Sequence, residues 1–453
     1  MLFFKELKKL VCSVSYLLFV VLITAALYSQ GALDFSGERL VEPQPDGNYG
    51  IKNEEIPEII MPAALQALYG EYVENSYRTY PIGLYKNVRL SAEEQMRVAE
   101  ILSDLTGLGR EVFLHAREGT GSGGDGEFII IGDDVQSDGN GGFIVSPGGA
   151  ESENRDMGED LELHVRSDIT YSEFQEQMQR VDTILGGGSE YARESLIGFG
   201  AVPVTYNEAV SRYELAVNTD KVTGGYARLF SDYAVAMVLG IFPVFPAVIM
   251  SMKDRRAKMS ELVYTRMESG AKIVLVRYLA VIVSVMLPVI ILSYISNGSV
   301  WGCYDGMELD YLAPLKYDLG WILPSVMISA ALGLFLTELT ETPIAIAVQG
   351  LWWFVDINMG YRSVASSYSL FRLSPRHNAG IRSFFRTQDF IDNFRGLLVN
   401  RLLFAGLSVA VVIAAIFIYE AKRRGRLNGS YKIKRAFARL GKGILHRRDQ
   451  PEA

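Results

Sequence analysis

The sequence predicts an α-helical polytopic membrane protein of six transmembrane helices, with an inserted α+β extracellular domain. Three observations carry this. The 453 residues combine 49% hydrophobic and 21% charged residues with a mean hydropathy of +0.15, so the apolar residues must be bunched. Six runs free or nearly free of charge fall at 11–28, 233–252, 273–295, 319–336, 343–355 and 402–419, and a bilayer core of about 30 Å needs about 20 helical residues. The formal net charge of −8 is also divided unevenly: residues 30–228 hold 35 Asp and Glu against 15 Lys and Arg, the rest of the chain 17 against 29.

Basic residues beside membrane spans mark the cytoplasmic side. Lys5, Lys8 and Lys9 place the N-terminus inside, and the 11 Lys and Arg of residues 422–448 place the C-terminus there too. Both ends inside requires an even number of spans, so six fits and five does not. The chain then divides into a cytoplasmic N-terminus with an interfacial helix and first span (1–29), the acidic extracellular domain (30–228), a second span (229–252), a cytoplasmic connector (253–272), a third span (273–296), an extracellular loop (297–318), a fourth span (319–337), a cytoplasmic turn (338–342), a fifth span (343–360), an extracellular or re-entrant segment (361–400), a sixth span (401–420) and a basic cytoplasmic tail (421–453). The plasma membrane is the expected location.

Element by element, the first run fits either a cleaved secretory signal or a permanent anchor. Its length, and the mixture of Phe3, Phe4, Leu7 and Leu10 with lysines, favour an interfacial helix leading into an anchor. Pro243 and Pro246 in the second span, Pro288 in the third, Pro324 in the fourth and Pro343 opening the fifth predict kinks or hinges where neighbours take up the freed carbonyls. The fifth run, around Gln349 and Trp352, is short. Residues 356–400 hold six Arg against three Asp, against the charge rule for an outside segment; long loops cross largely regardless of charge, and Arg snorkels to headgroups. Asp232, Glu338, Glu341 and Asp356 sit at span ends, which argues against a central proton relay.

In the acidic domain, Ser91 followed by Glu94 is a capping box for a helix ending at Gly107, and Thr170 with Glu173 opens a second that ends at Gly186–Gly188. Strands are predicted at 111–115, 128–132, 142–146 and 161–166. The segment Gly119–Gly126 lacks the Lys and Ser or Thr of a phosphate-cradling loop. A calcium loop beginning at Asp134 fails because Val145 stands where a bidentate Glu is needed. Hairpin turns are the expected role of both. Cys12 and Cys303 give no disulfide framework, and His115, His164, His377 and His446 are too scattered for a metal site. No GxSxG elbow, catalytic constellation or P-loop occurs, so the chain is expected not to be an enzyme.

The connector is the most informative segment. Met259, Leu262, Val263 and Met267 share one helical face, Lys258, Glu261 and Glu268 project elsewhere, Arg266 must snorkel out of the stripe, and Ser260 is the predicted N-cap. Such a stripe is buried against the membrane interface or in a groove on another protein.

The order of one span, a large outer domain, five spans, a charged amphipathic connector and a basic tail resembles the ABC-2 type permeases, transmembrane subunits of ATP-binding-cassette exporters. The stretch Asp220-Lys-Val-Thr-Gly-Gly-Tyr-Ala-Arg-Leu-Phe-Ser-Asp-Tyr233, with Lys253-Asp-Arg-Arg-Ala-Lys-Met259, is similar to permeases of this type, as is Leu398-Val-Asn-Arg-Leu-Leu403. The resemblance implies that the connector is a coupling helix docking on a cytosolic ATPase, through Arg255, Arg256, Lys258, Met259, Glu261, Leu262, Val263, Tyr264, Arg266 and Met267. It also implies a second permease subunit, identical or different, and ATP with Mg used by the partner ATPase, no cofactor being bound by this chain. Membrane lipids are expected partners and nucleic acid is not. An alternative of a different class is a membrane-anchored sensor or mechanotransmitter, whose outer domain binds a ligand or partner while no solute crosses.

Overall fold

A computed structural model describes residues 2–37, 39–81, 85–118, 163–257, 268–358, 368–377 and 379–426. It is predominantly helical with two very small sheets. The chain forms two compact units, one of Met1–Leu40, Glu214–Ile357 and Ser367–Ala453, the other of Val41–Tyr213 with Asn358–Ser366. In the first unit, α1 (Leu2–Val11) and α2 (Val14–Ser29) meet at 66°, with Ser13 capping α2 by accepting from the Tyr16 amide. α2 is followed by a turn whose Ala32 carbonyl accepts from Ser296 Oγ at 2.7 Å.

The second unit holds β1 (Ile51–Asn53), α3 (Pro57–Glu74), β2 (Tyr77–Thr79), β3 (Lys86–Val88), α4 (Ala92–Thr106), α5 (Arg110–Glu118), α6 (Tyr171–Ile184) and β4 (Ala201–Pro203). β1 pairs antiparallel with β4 (Ile51 opposite Pro203) and β2 with β3 (Tyr77 opposite Val88). Both expected capping boxes form, and α4 ends on Gly107 at φ 76°. Gly186, Gly187 and Gly188 follow α6 at φ 89°, 85° and 85°, a left-handed run in which a side chain would be strained. Asp182 closes that turn by accepting from the Ser189 amide and hydroxyl, each at 2.8 Å. The core is helical, built on Leu65, Leu68, Tyr72, Leu102, Leu105, Phe113, Phe174 and Met178.

The strand predicted at 111–115 is instead part of α5: three apolar residues, Val112 to Leu114, carry no period long enough to separate helix from strand, and burial of Phe113 is met by the helix. Of the strand predicted at 161–166, residues 163–166 are irregular chain in no sheet and 161–162 lie outside the described residues, as do the strands predicted at 128–132 and 142–146 and both glycine-rich segments.

Glu71 links three parts of this unit. It accepts from Tyr191 Oη at 2.8 Å and from the Arg78 amide at 3.1 Å, and burial pushes its carboxyl up to about 7. A raised carboxyl contributes stability that is complete below its ordinary range and is lost as pH rises through the folded value. Thermal unfolding of the detergent-solubilised chain should therefore show this unit losing on the order of 3 kcal/mol between pH ~4.5 and ~7. Glu71→Gln should flatten that slope, and an unchanged slope would contradict the assignment.

α7 (Tyr206–Asn218) leads to α8 (Thr223–Ala234), a π turn at Val235–Leu239 and α9 (Val244–Arg256). Next come α10 (Gly270–Trp301), α11 (Ala313–Tyr317), a π turn at Asp318–Ile322, α12 (Leu323–Thr340), α13 (Ile344–Asn358) and α14 (Thr387–Arg423). Among the described residues three helical stretches, Gly270–Trp301, Ala313–Thr340 and Ile381–Arg423, are long and apolar enough to cross a membrane, and the bent α1–α2 pair makes a fourth if counted as one span. The prolines act unequally: Pro288 sits inside an unbroken α10, whereas the chain turns between Gly240 and Pro243. That break leaves carbonyls without helical donors. α13 supplies them, Gln349 Nε2 reaching Gly240 O at 2.6 Å and Trp353 Nε1 reaching Ala236 O at 2.8 Å. α14 begins at Thr387, well before the span expected from 401: Thr387 is buried, and the polar first turns bond along the helix itself, Gln388 Nε2 donating to Asp392 Oδ1 at 2.8 Å.

Candidate functional site

The connector is described only at its two roots. On the entry side α9 runs through Arg255 to Arg256, with Lys253 and Arg256 exposed. Lys258, Met259, Glu261, Leu262, Val263, Tyr264, Arg266 and Met267, with the predicted cap Ser260, lie outside the described residues. On the exit side Ser269 caps α10 by accepting from the Lys272 amide at 3.3 Å. Here the end of α14 grips the chain. Glu420 Oε1 accepts from the Gly270 amide at 2.7 Å, and Arg423 Nη1 donates to Glu268 O at 2.7 Å. Lys422, almost fully buried, pairs with Glu341 at 3.2 Å and donates to Glu338 O. One helix end thus ties the connector's exit to the α12–α13 turn. A carboxylate at a helix N-terminus is favourable there, since it meets unsatisfied amides.

The other end of α14 enters a buried polar core. Arg228 of α8 is 1% exposed. It donates to Asp220 Oδ1 at 3.2 Å and Oδ2 at 2.7 Å, to Tyr317 Oη at 3.0 Å and to Phe385 O at 3.2 Å, with Phe390 stacked 4.4 Å from its guanidinium carbon. Thr387 Oγ1, at the start of α14, donates to the same Asp220 carboxylate at 2.7 Å. Phe384, Phe385 and Arg386 have φ of 50°, 55° and 40°, a strained conformation for residues with side chains. Arg228 helps hold it, and so does His377, whose Nε2 lies 2.7 Å from Phe385 O. A carbonyl only accepts, so Nε2 carries the proton and Nδ1 accepts from Tyr368 Oη. Burial, reinforced by Arg228, pushes this imidazole down to about 3, leaving it neutral. Phe385 fits because Gly225 has no side chain: a Cβ there would collide with the ring.

Residues 368–377 run as irregular chain through the helices, and side chains satisfy their backbone. Asp356 accepts from the amides of Leu373 (2.8 Å) and Ser374 (2.9 Å), and Asp232 from that of His377 (3.0 Å). Asn400 Nδ2 reaches the carbonyls of Ser369, Leu370 and Arg372 at 2.8, 3.0 and 3.0 Å. Arg401 donates to Trp321 O at 3.0 Å, Ser325 Oγ at 2.7 Å, and the carbonyls of Arg372 and Leu373 at 3.2 and 3.3 Å. Irregular backbone is tolerated among membrane helices where protein satisfies it in this way.

Charge at the span ends is buried in protein as well as exposed: the side chains of Asp220, Arg228, Asp318 and Arg401 are buried with those of Asp232 and Asp356. A signal was present in the six Arg of residues 356–400, which run against the charge rule and two of which, Arg372 and Arg376, lie in this irregular stretch. Two stretches that carried the family resemblance also enter the core, the first through Asp220, Arg228 and Asp232, the second through Asn400 and Arg401. No family model, curated protein or solved structure matches the chain. Among the described residues no three His, Cys, Asp or Glu gather to hold a metal.

Proposed function

We propose that the chain is the permease subunit of an ATP-binding-cassette exporter, forming the translocation pathway and driven by a separate cytosolic ATPase. The observation that supports this best is the placement of α14, whose last turns hold the connector's exit through Glu420 and Arg423 while its first residue joins the Arg228–Asp220 pair. A force applied at the connector has a continuous helix along which to reach the polar core. In this reading the six spans lie in α2, in the broken α8–α9 from residue 229, in α10, in α11–α12, in the short α13 and in α14 from residue 401, with the acidic residues 30–228 outside the plasma membrane and both termini inside. A second permease subunit completes the pathway, and the partner ATPase supplies the P-loop that the sequence lacks.

The coupling stripe is tested by affinity purification of the full chain from native membranes. The wild-type chain should carry a P-loop ATPase with it, and Met259→Asp with Leu262→Asp should lose at least ~90% of that ATPase, since two charges cannot enter an apolar groove without a cost of several kcal/mol. Thermal unfolding of the double variant should match the wild type. Full ATPase retention would remove the connector from this role.

A further inference from the structure

Asp318 lies in the π turn between α11 and α12 and is fully buried. Neither carboxylate oxygen meets hydrogen-bond geometry with a partner among the described residues, and no charged side chain among them opposes it. The polar side chain facing it is Ser293 of α10. One turn on, Asn297 Nδ2 donates to Ser293 O at 2.9 Å, which holds its amide over the same turn. Ser293 and Asn297 are also fully buried, and Ser293 Oγ and Asn297 Oδ1 lack partners among the described residues. The cluster offers up to four side-chain oxygens and one negative charge.

An ionised carboxylate buried without compensation is too costly to persist. A proton shared between Asp318 and Ser293 is the competing occupant, and salt dependence separates it from a metal ion. A divalent hard cation favours more carboxylate than a single Asp supplies. We propose that Asp318, Ser293 and Asn297 form a sodium-binding site between α10 and the π turn preceding α12. This rests on the cluster alone and stands whether or not the chain is a permease.

The test is thermal unfolding of the purified full chain in detergent, at mildly alkaline pH and constant ionic strength, in sodium, potassium or choline chloride. Sodium should raise the unfolding temperature saturably by on the order of a few degrees over choline, and potassium by less. Asp318→Asn should abolish the sodium dependence and unfold at a higher temperature than wild type in choline. Ser293→Ala should move the sodium midpoint to higher concentration, and it carries the test if the Asp318 variant does not fold. Equal unfolding temperatures in sodium and choline would overturn the proposal. So would stabilisation by acid but not by sodium, which would assign the site to a proton, or an unshifted midpoint in Ser293→Ala.

Discussion

Arg228→Met is expected to destabilise the helical unit by about 3–5 kcal/mol, enough to leave little monodisperse protein after detergent extraction. The cost lies in what remains: Asp220 stays buried with its charge, keeping Thr387 as one donor and losing both guanidinium contacts. The carbonyl of Phe385 also loses a donor in a strained stretch. Because the penalty comes from the orphaned carboxylate, Asp220→Asn combined with Arg228→Met should recover a large part of it. Thermal unfolding of both single variants and the double would decide; additive losses, or a wild-type Arg228→Met, would mean that the pair is not coupled as described.

Arg401→Met is the second large effect, expected at about 3 kcal/mol or more. Ser325 Oγ still donates to Leu373 O and Asn400 Nδ2 to Arg372 O, so the loss concentrates on Trp321 O and on Asn400 Oδ1, which Arg401 Nε contacts at 2.8 Å. Arg401→Lys should recover little, because one ammonium cannot reproduce a planar fork aimed at several acceptors. Limited proteolysis should show new cleavage within 368–377 in the methionine variant. A proteolytic pattern identical to wild type would argue against Arg401 as the fastener of that segment.

Rules confined to a few neighbouring residues were readable in the sequence. The capping boxes at Ser91 and Thr170 formed where a hydroxyl and a Glu three residues on predict them. Apolar runs marked the centres of α10 and α12 but not their ends, because Ser296, Asn297 and Asp318 are buried against protein, and hydropathy reads such residues as boundaries. The early start of α14 was hidden for a different reason: Asp389, Asp392 and Arg395 are polar and mostly exposed, and such a stretch reads as a loop although the helix runs through it. The polar core was the least legible part. Asp220 and Arg228 are separated by a turn, and Arg401 finds its acceptors about 80 residues away at Trp321 and Ser325. Such partners are assigned only when helices pack.

The α14 helix has a mechanical consequence. Its 37 residues contain no proline, so it has no obvious hinge. At 1.5 Å per residue it is roughly 55 Å long, and a tilt of one degree about its Glu420 end would sweep the Thr387 end by nearly ~1 Å. That is the scale on which hydrogen bonds such as those around Asp220 are made or broken. A small angular error at one end is a whole contact at the other.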